Sequence, residues 1–128
     1  MIHRKHFKTA NNYLGFSECH PKTQEVAAYI IEVTKKYGGE CVFTETKTNG
    51  SIDKALGRVS NSHEQGRALD QRTWNLEPEI IPLIIRDVTE KYGNIGAVTQ
   101  SGIRQLAVHH NSGHGDHIHW QLDRSFAV

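Results

Sequence analysis

Cysteine is scarce. Cys19 and Cys41 are the only two in 128 residues, and no Cys-x-x-Cys occurs. This excludes a disulfide framework and leaves two buried thiols as the expectation. An excess of one charge is missing as well: 15 basic side chains stand against 14 acidic ones for a net charge of +1, without long like-charge runs. Such a chain lacks the basic footprint of a nucleic-acid binder, and no nucleic-acid partner is expected. Long apolar runs are absent too. With 37% hydrophobic and 23% charged residues, neither a membrane span nor a disordered chain is expected. The basic start, Met1-Ile2-His3-Arg4-Lys5-His6-Phe7-Lys8, leads into Thr9-Ala10-Asn11-Asn12 instead of the apolar stretch of a signal peptide, so a cytoplasmic location is expected. No low-complexity linker interrupts the chain. One domain over residues 1–128, monomeric and with no membrane partner, is the expectation.

What is present alternates between helical and extended texture. After Pro21, apolar residues at Val26, Ile30, Val33 and Tyr37 follow a helical spacing that stops at Gly38-Gly39. A second helix is predicted to end at Tyr92, with Ile81, Ile84 or Ile85, and Val88 on one side and Gly93 as its stop. Pro78 and Pro82 cannot both lie in its interior, because each lacks an N–H and crowds the carbonyl four residues back. Both helices end alike, Val33-Thr34-Lys35-Lys36-Tyr37-Gly38 and Val88-Thr89-Glu90-Lys91-Tyr92-Gly93, which suggests similar stops. Short β-like runs are predicted over 40–47, 67–73, 95–100, 105–110 and 117–123, and a long loop over 48–62. In the last run, alternation points Ile118, Trp120 and Leu122 to a core and His117, His119 and Gln121 to a polar face.

Two segments carry the chemistry: His63-Glu64-Gln65-Gly66-Arg67-Ala68-Leu69-Asp70 and Gly115-Asp116-His117-Ile118-His119-Trp120. Two histidines and one acid suit a zinc ion, whose catalytic sites take three protein ligands and leave a fourth position open. On a helix, His63 and Asp70 would stand about 10 Å apart along the axis, too far for one ion. A turn running into a strand is therefore predicted there. On that strand Ala68 and Asp70 share a face, so a small side chain beside the acid leaves room for a metal. His3, His6, His20 and His114 have no such neighbours and are expected at the surface.

These motifs resemble those of the superfamily that joins lysostaphin-type peptidases, D-alanyl-D-alanine metallopeptidases and hedgehog signalling domains. The D-alanyl-D-alanine branch has a Ser-x-His-x-x-Gly-x-Ala-x-Asp pattern, which falls on His63, Gly66, Ala68 and Asp70, with Asn61 in the place of Ser. An acid three residues before the last zinc histidine falls on Asp116 and His119; the lysostaphin His-x-His falls on His117 and His119. The resemblance covers the region from Glu40 to Leu122, about two thirds of the chain. It implies a small α+β fold with an antiparallel sheet and helices on one face. It also implies zinc held by His63, Asp70 and His119, and hydrolysis of an amide bond in bacterial peptidoglycan stem peptides. A phage-encoded lysin, released to the cell wall, fits the same family.

Two residues are candidates for the base that takes a proton from water: Asp116, preferred from the acid motif, and His117, from its place on the face of His119. His110 is a weaker candidate for stabilising the tetrahedral intermediate. The arginine that many such peptidases carry before the first zinc histidine is missing from Phe43-Thr44-Glu45-Thr46-Lys47; Lys47 or Arg58 could replace it. The competing readings are a zinc-stabilised binding or phage structural module and, less favoured, a metal-dependent nuclease. The nuclease reading follows a loose likeness of His109-His110-Asn111 and Asp116–His119 to histidine-asparagine-histidine enzymes.

Overall fold

The computed structural model describes residues 2–48, 61–111 and 116–128, the side chains of His110 and Asn111 excepted. The architecture is α+β. Helices α1 (Ala10–Ser17), α2 (Pro21–Lys36) and α3 (Ile81–Tyr92) accompany strands β1 (Phe43–Glu45), β2 (Ala68–Arg72), β5 (Ala107–Asn111) and β6 (Asp116–Gln121). These four strands form an antiparallel sheet in the order β1-β2-β6-β5, while β3 (Ala97–Val98) and β4 (Arg104–Gln105) form a separate two-stranded ribbon. Among the described residues no helix is long and apolar enough to cross a membrane. Most of the predicted loop over 48–62 lies outside them.

Local chemistry explains where the helices begin and end. Pro21 occupies the first turn of α2, where a missing N–H costs nothing, and the His20 ring accepts from the Lys22 amide at 2.9 Å. Lys35 and Lys36 complement the helix dipole at the far end, and Gly38 takes φ +85°, a left-handed cap that only glycine adopts at low cost. Gly93 stops α3 differently, in a 3-10 turn at φ −58°, so the two like-sequenced helix ends are not alike in geometry. The two prolines before and in α3 divide their work: Pro78 opens a 3-10 turn and Pro82 sits in the first turn of the helix. Helix α1, which apolar periodicity does not reveal, is set by a reciprocal cap. The Asn12 amide donates to Thr9 Oγ1 at 3.0 Å, and the Thr9 amide donates to Asn12 Oδ1 at 3.1 Å.

The core lies between one sheet face and the helices. Leu69, Ile118, Trp120 and Leu122 are fully buried with Val26 and Ile30 of α2 and Ile84 and Val88 of α3, so the alternation read for the last strand holds. Polar side chains are built into this layer, Gln71 among them. Gln71 Nε2 donates to Thr34 Oγ1 at 2.9 Å, and Trp120 Nε1 donates to Gln71 Oε1 at 3.0 Å, which ties β2 to α2 and β6. Both cysteines are free and buried, and burial pushes the Cys19 thiol up to about 12. The expectation that His6 is a surface residue is wrong. It is buried, with Nδ1 3.2 Å from the Cys41 carbonyl, because Phe7 beside it enters the core. His20 is half-buried; His3 is exposed as expected.

Gln71→Leu should remove both hydrogen bonds and leave the Trp120 indole N–H and the Thr34 hydroxyl buried without partners. At about 1–3 kcal/mol per orphaned group, urea unfolding should shift clearly toward lower denaturant. An unchanged midpoint would mean that this bridge does not hold the layers.

Candidate metal centre

His63, Asp70 and His119 come together although 49 residues separate the last two. The antiparallel register sets Asp70 directly opposite His119, and the side chains of opposed residues lie on one face of a sheet. His119 Nδ1 is 2.8 Å from Asp70 Oδ1. His63 arrives from outside the sheet, on the turn over 62–66. That turn is closed by the Gly66 amide donating to the His63 carbonyl at 3.0 Å and the Arg67 amide donating to the Ser62 carbonyl at 3.1 Å. Gly66 takes φ +67°, and a Cβ there would meet Val128 Cγ2 at 2.7 Å and Cys19 Cα at 3.1 Å. The turn running into a strand is thus the one predicted, with β2 starting at Ala68.

The His63 ring is oriented from behind. Its Nδ1 lies 3.0 Å from the Thr46 carbonyl, and a carbonyl only accepts, so Nδ1 carries the proton and Nε2 faces Asp70 Oδ1 at 3.3 Å. Thr46 is positioned by α1. Its hydroxyl donates to the Asn12 carbonyl at 2.7 Å, and Gly15 packs so closely that a Cβ would lie 2.6 Å from both Thr46 Oγ1 and the Lys47 carbonyl oxygen.

The donor set fits a metal ion. One ligand atom from each of the three residues lies within 4.8 Å of the others. A tetrahedral zinc with bonds of about 2.0–2.1 Å spaces its donors by about 3.3 Å, close to the 3.3 Å and 2.8 Å between Asp70 Oδ1 and the two imidazoles. His63 and Asp70 are only 6% and 8% exposed, so a bound ion would be shielded from water on this side. Electrostatics already favour charge there. Burial would raise the Asp70 pKa, but hydrogen bonds from His119 and His63 outweigh it and hold the carboxyl far below the usual carboxylate range. Burial opposes a charged His63, yet the Asp70 bond, with Glu45 adding its charge, raises that imidazole above its ordinary value.

The two candidate bases are placed differently. His117 lies on the face of His119, with Nε2 3.8 Å from Asp70 Oδ2. Asp116 shares the parity of Ile118 and Trp120 on β6, and its carboxylate is not brought into the metal group. Asp116 Oδ2 accepts instead from the Thr73 hydroxyl and pairs with His109 Nε2 at 2.8 Å, two contacts that hold its pKa below the ordinary value. The His110 side chain and Arg58 lie outside the described residues.

Glu45 is the residue that sequence reasoning missed. Its Oε2 stands 3.5 Å from His63 Nε2. Two residues after Phe43, whose partner is Gln71, regular alternation would turn Glu45 toward the core; a register irregularity pairs it with Asp70 instead and re-aims it to the metal side. Nothing in the run of sequence announces that bulge. Compared with protein-family models, curated proteins and solved structures, the chain has no match.

Because metal and proton compete for His63 Nε2, and because this imidazole is raised, metal affinity should already fall at a pH above about 6.5, where an unperturbed histidine titrates. Competition titrations between pH 8.5 and 6 would show it. An affinity that stays flat down to about pH 6.5 would contradict the raised imidazole.

Proposed function

We propose that the chain is a zinc-dependent peptidase that hydrolyses an amide bond in peptidoglycan stem peptides, on a frame like that of the peptidases whose motifs it shares. The observation that carries the reading is the convergence of His63, Asp70 and His119 from separate segments into one three-donor group. Two imidazoles and one carboxylate suit zinc better than the hard cations, which prefer all-oxygen sets. When bound, zinc supplies a water acidified to a pKa of about 7 and polarises the scissile carbonyl.

The chain's own residues do the rest. His117, beside the three donors and facing Asp70 Oδ2, is placed to take the proton of the attacking water at Nε2. It replaces Asp116 as the preferred base because it needs no movement to reach that face. Arg72 lies opposite His117 in the register, on the metal side of the sheet. Its guanidinium stacks on Trp74 at 4.8 Å, and its buried Nε has no hydrogen-bond partner among the described residues. An arginine so held can receive a substrate oxygen, in the role for which Lys47 and Arg58 were considered.

A non-catalytic zinc-stabilised module has one observation on its side: Glu45, close to His63 Nε2, could close the fourth coordination position. The nuclease reading has less, since among the described residues only a 3-10 turn, Arg124–Phe126, follows β6.

Digestion of purified peptidoglycan with mass spectrometry of the fragments separates these readings. The peptidase should release peptide fragments, and a chelator should stop it. His117→Ala should keep zinc and lower turnover by roughly 10²–10⁴-fold, the size of lost acid–base assistance, while Asp116→Asn should lower it far less. Intact peptidoglycan with zinc fully bound would leave the structural module standing.

A further inference from the structure

Asp116, left out of the metal group, stands at a second feature of the fold. A cavity of about 470 Å³ opens where β2 ends, with Thr73, Trp74, Leu76, Ile81, Ile85 and Asp116 among its lining residues. This is the size of a small-ligand pocket. Its walls are mainly aliphatic, and Trp74 contributes an indole that remains 75% exposed, an unusual placement for so large an apolar group. Among the described lining residues Asp116 is the only acid and there is no lysine or arginine; the Arg72 guanidinium lies on the Trp74 ring, 4.8 Å from its centroid.

The carboxylate is fixed and yet open. Its two hydrogen-bonding partners among the described residues, the Thr73 hydroxyl and His109 Nε2, both use Oδ2. Thr73 is itself buried, and its single hydroxyl hydrogen is shared between Asp116 Oδ2 and the Asp116 carbonyl oxygen, the latter at 2.8 Å. Oδ1 takes no hydrogen bond from a described residue, and the side chain is 46% exposed. A negative charge held at the mouth of an aliphatic pocket, beside an exposed indole, complements one kind of group: a cation on an apolar stem. The ammonium would meet Asp116, and the methylenes would cover Leu76, Ile81 and Ile85.

We propose that this cavity is a recognition pocket for a lysine-type side chain, an alkylammonium presented by a peptide. The pocket does not depend on the metal, and its occupant need not be a substrate.

The test compares N-acetyl-lysine methylamide with its uncharged counterpart, N-acetyl-norleucine methylamide, on the full chain by two-dimensional NMR. Trp74 is a clean reporter because the other tryptophan, Trp120, is fully buried. The lysine probe should shift the Trp74 indole and Thr73 amide signals and bind at least about tenfold more tightly than the norleucine probe, a difference of 1.4 kcal/mol. Asp116→Asn should erase that preference. Equal response to the two probes would reduce the pocket to an apolar groove and overturn the proposal on the native chain alone. No response at millimolar probe, or a preference that survives in Asp116→Asn, would overturn it as well. None of these outcomes touches the zinc reading.

Discussion

The register of β2 against β6 is the constraint on which the rest of the structure depends. It pairs Leu69 with Trp120, Asp70 with His119 and Gln71 with Ile118. Because side chains alternate strictly, this one alignment puts Leu69, Ile118 and Trp120 into the core and Asp70 and His119 onto the opposite face together. A slip of β6 by one residue would turn His117 and His119 to where the helices pack and expose Trp120, the largest core side chain, while a slip of β2 would bury the Asp70 carboxylate there. Burying an unpaired charge costs several kcal/mol or more, and Trp120 alone contributes on the order of 2–3 kcal/mol by area. The same terms that stabilise the core therefore assemble two thirds of the donor set. Gln71 adds a directional lock, since its amide reaches both Thr34 and Trp120 only in this register.

The third donor is less strongly dictated. His63 belongs to a turn, and its position follows from a relay of close contacts: Gly15 against the end of β1, Thr46 held by Asn12, and the Thr46 carbonyl held by the His63 ring. The turn is also fastened to α2, whose Thr23 hydroxyl donates to the Gly66 carbonyl at 2.9 Å. Such a relay makes the orientation of the imidazole sensitive to residues far from it. It also makes the centre an early casualty of a misplaced α1.

How far the sequence discloses this depends on the range of the interactions. Helices α2 and α3 were legible because periodic apolar residues and glycine stops are local signals, and β6 because its alternation is regular over its whole length. Helix α1 was not, since a side-chain cap rather than an apolar stripe defines it. Strand β1 was foreseen over eight residues and is three long, cut by the irregularity that turns Glu45 toward His63. That irregularity arises from pairing with β2, which no window of local sequence contains. The donors His63, Asp70 and His119 were legible through spacing and motif. Asp116 is read as the base beside the metal from the same motif, whereas the strand it opens gives it the parity of Ile118, with Thr73 and His109 as partners. Partners contributed by distant segments are what a linear reading cannot see.

The central claim, that a metal ion is held by these three side chains, is tested most directly by long-range proton–nitrogen NMR of the histidine rings during zinc titration of metal-free protein. The account predicts that at one zinc per chain the ring of His63 is ligated through Nε2, with Nδ1 still protonated toward the Thr46 carbonyl, and that of His119 through Nδ1. Ring signals of His63 and His119 that do not change with zinc would contradict it.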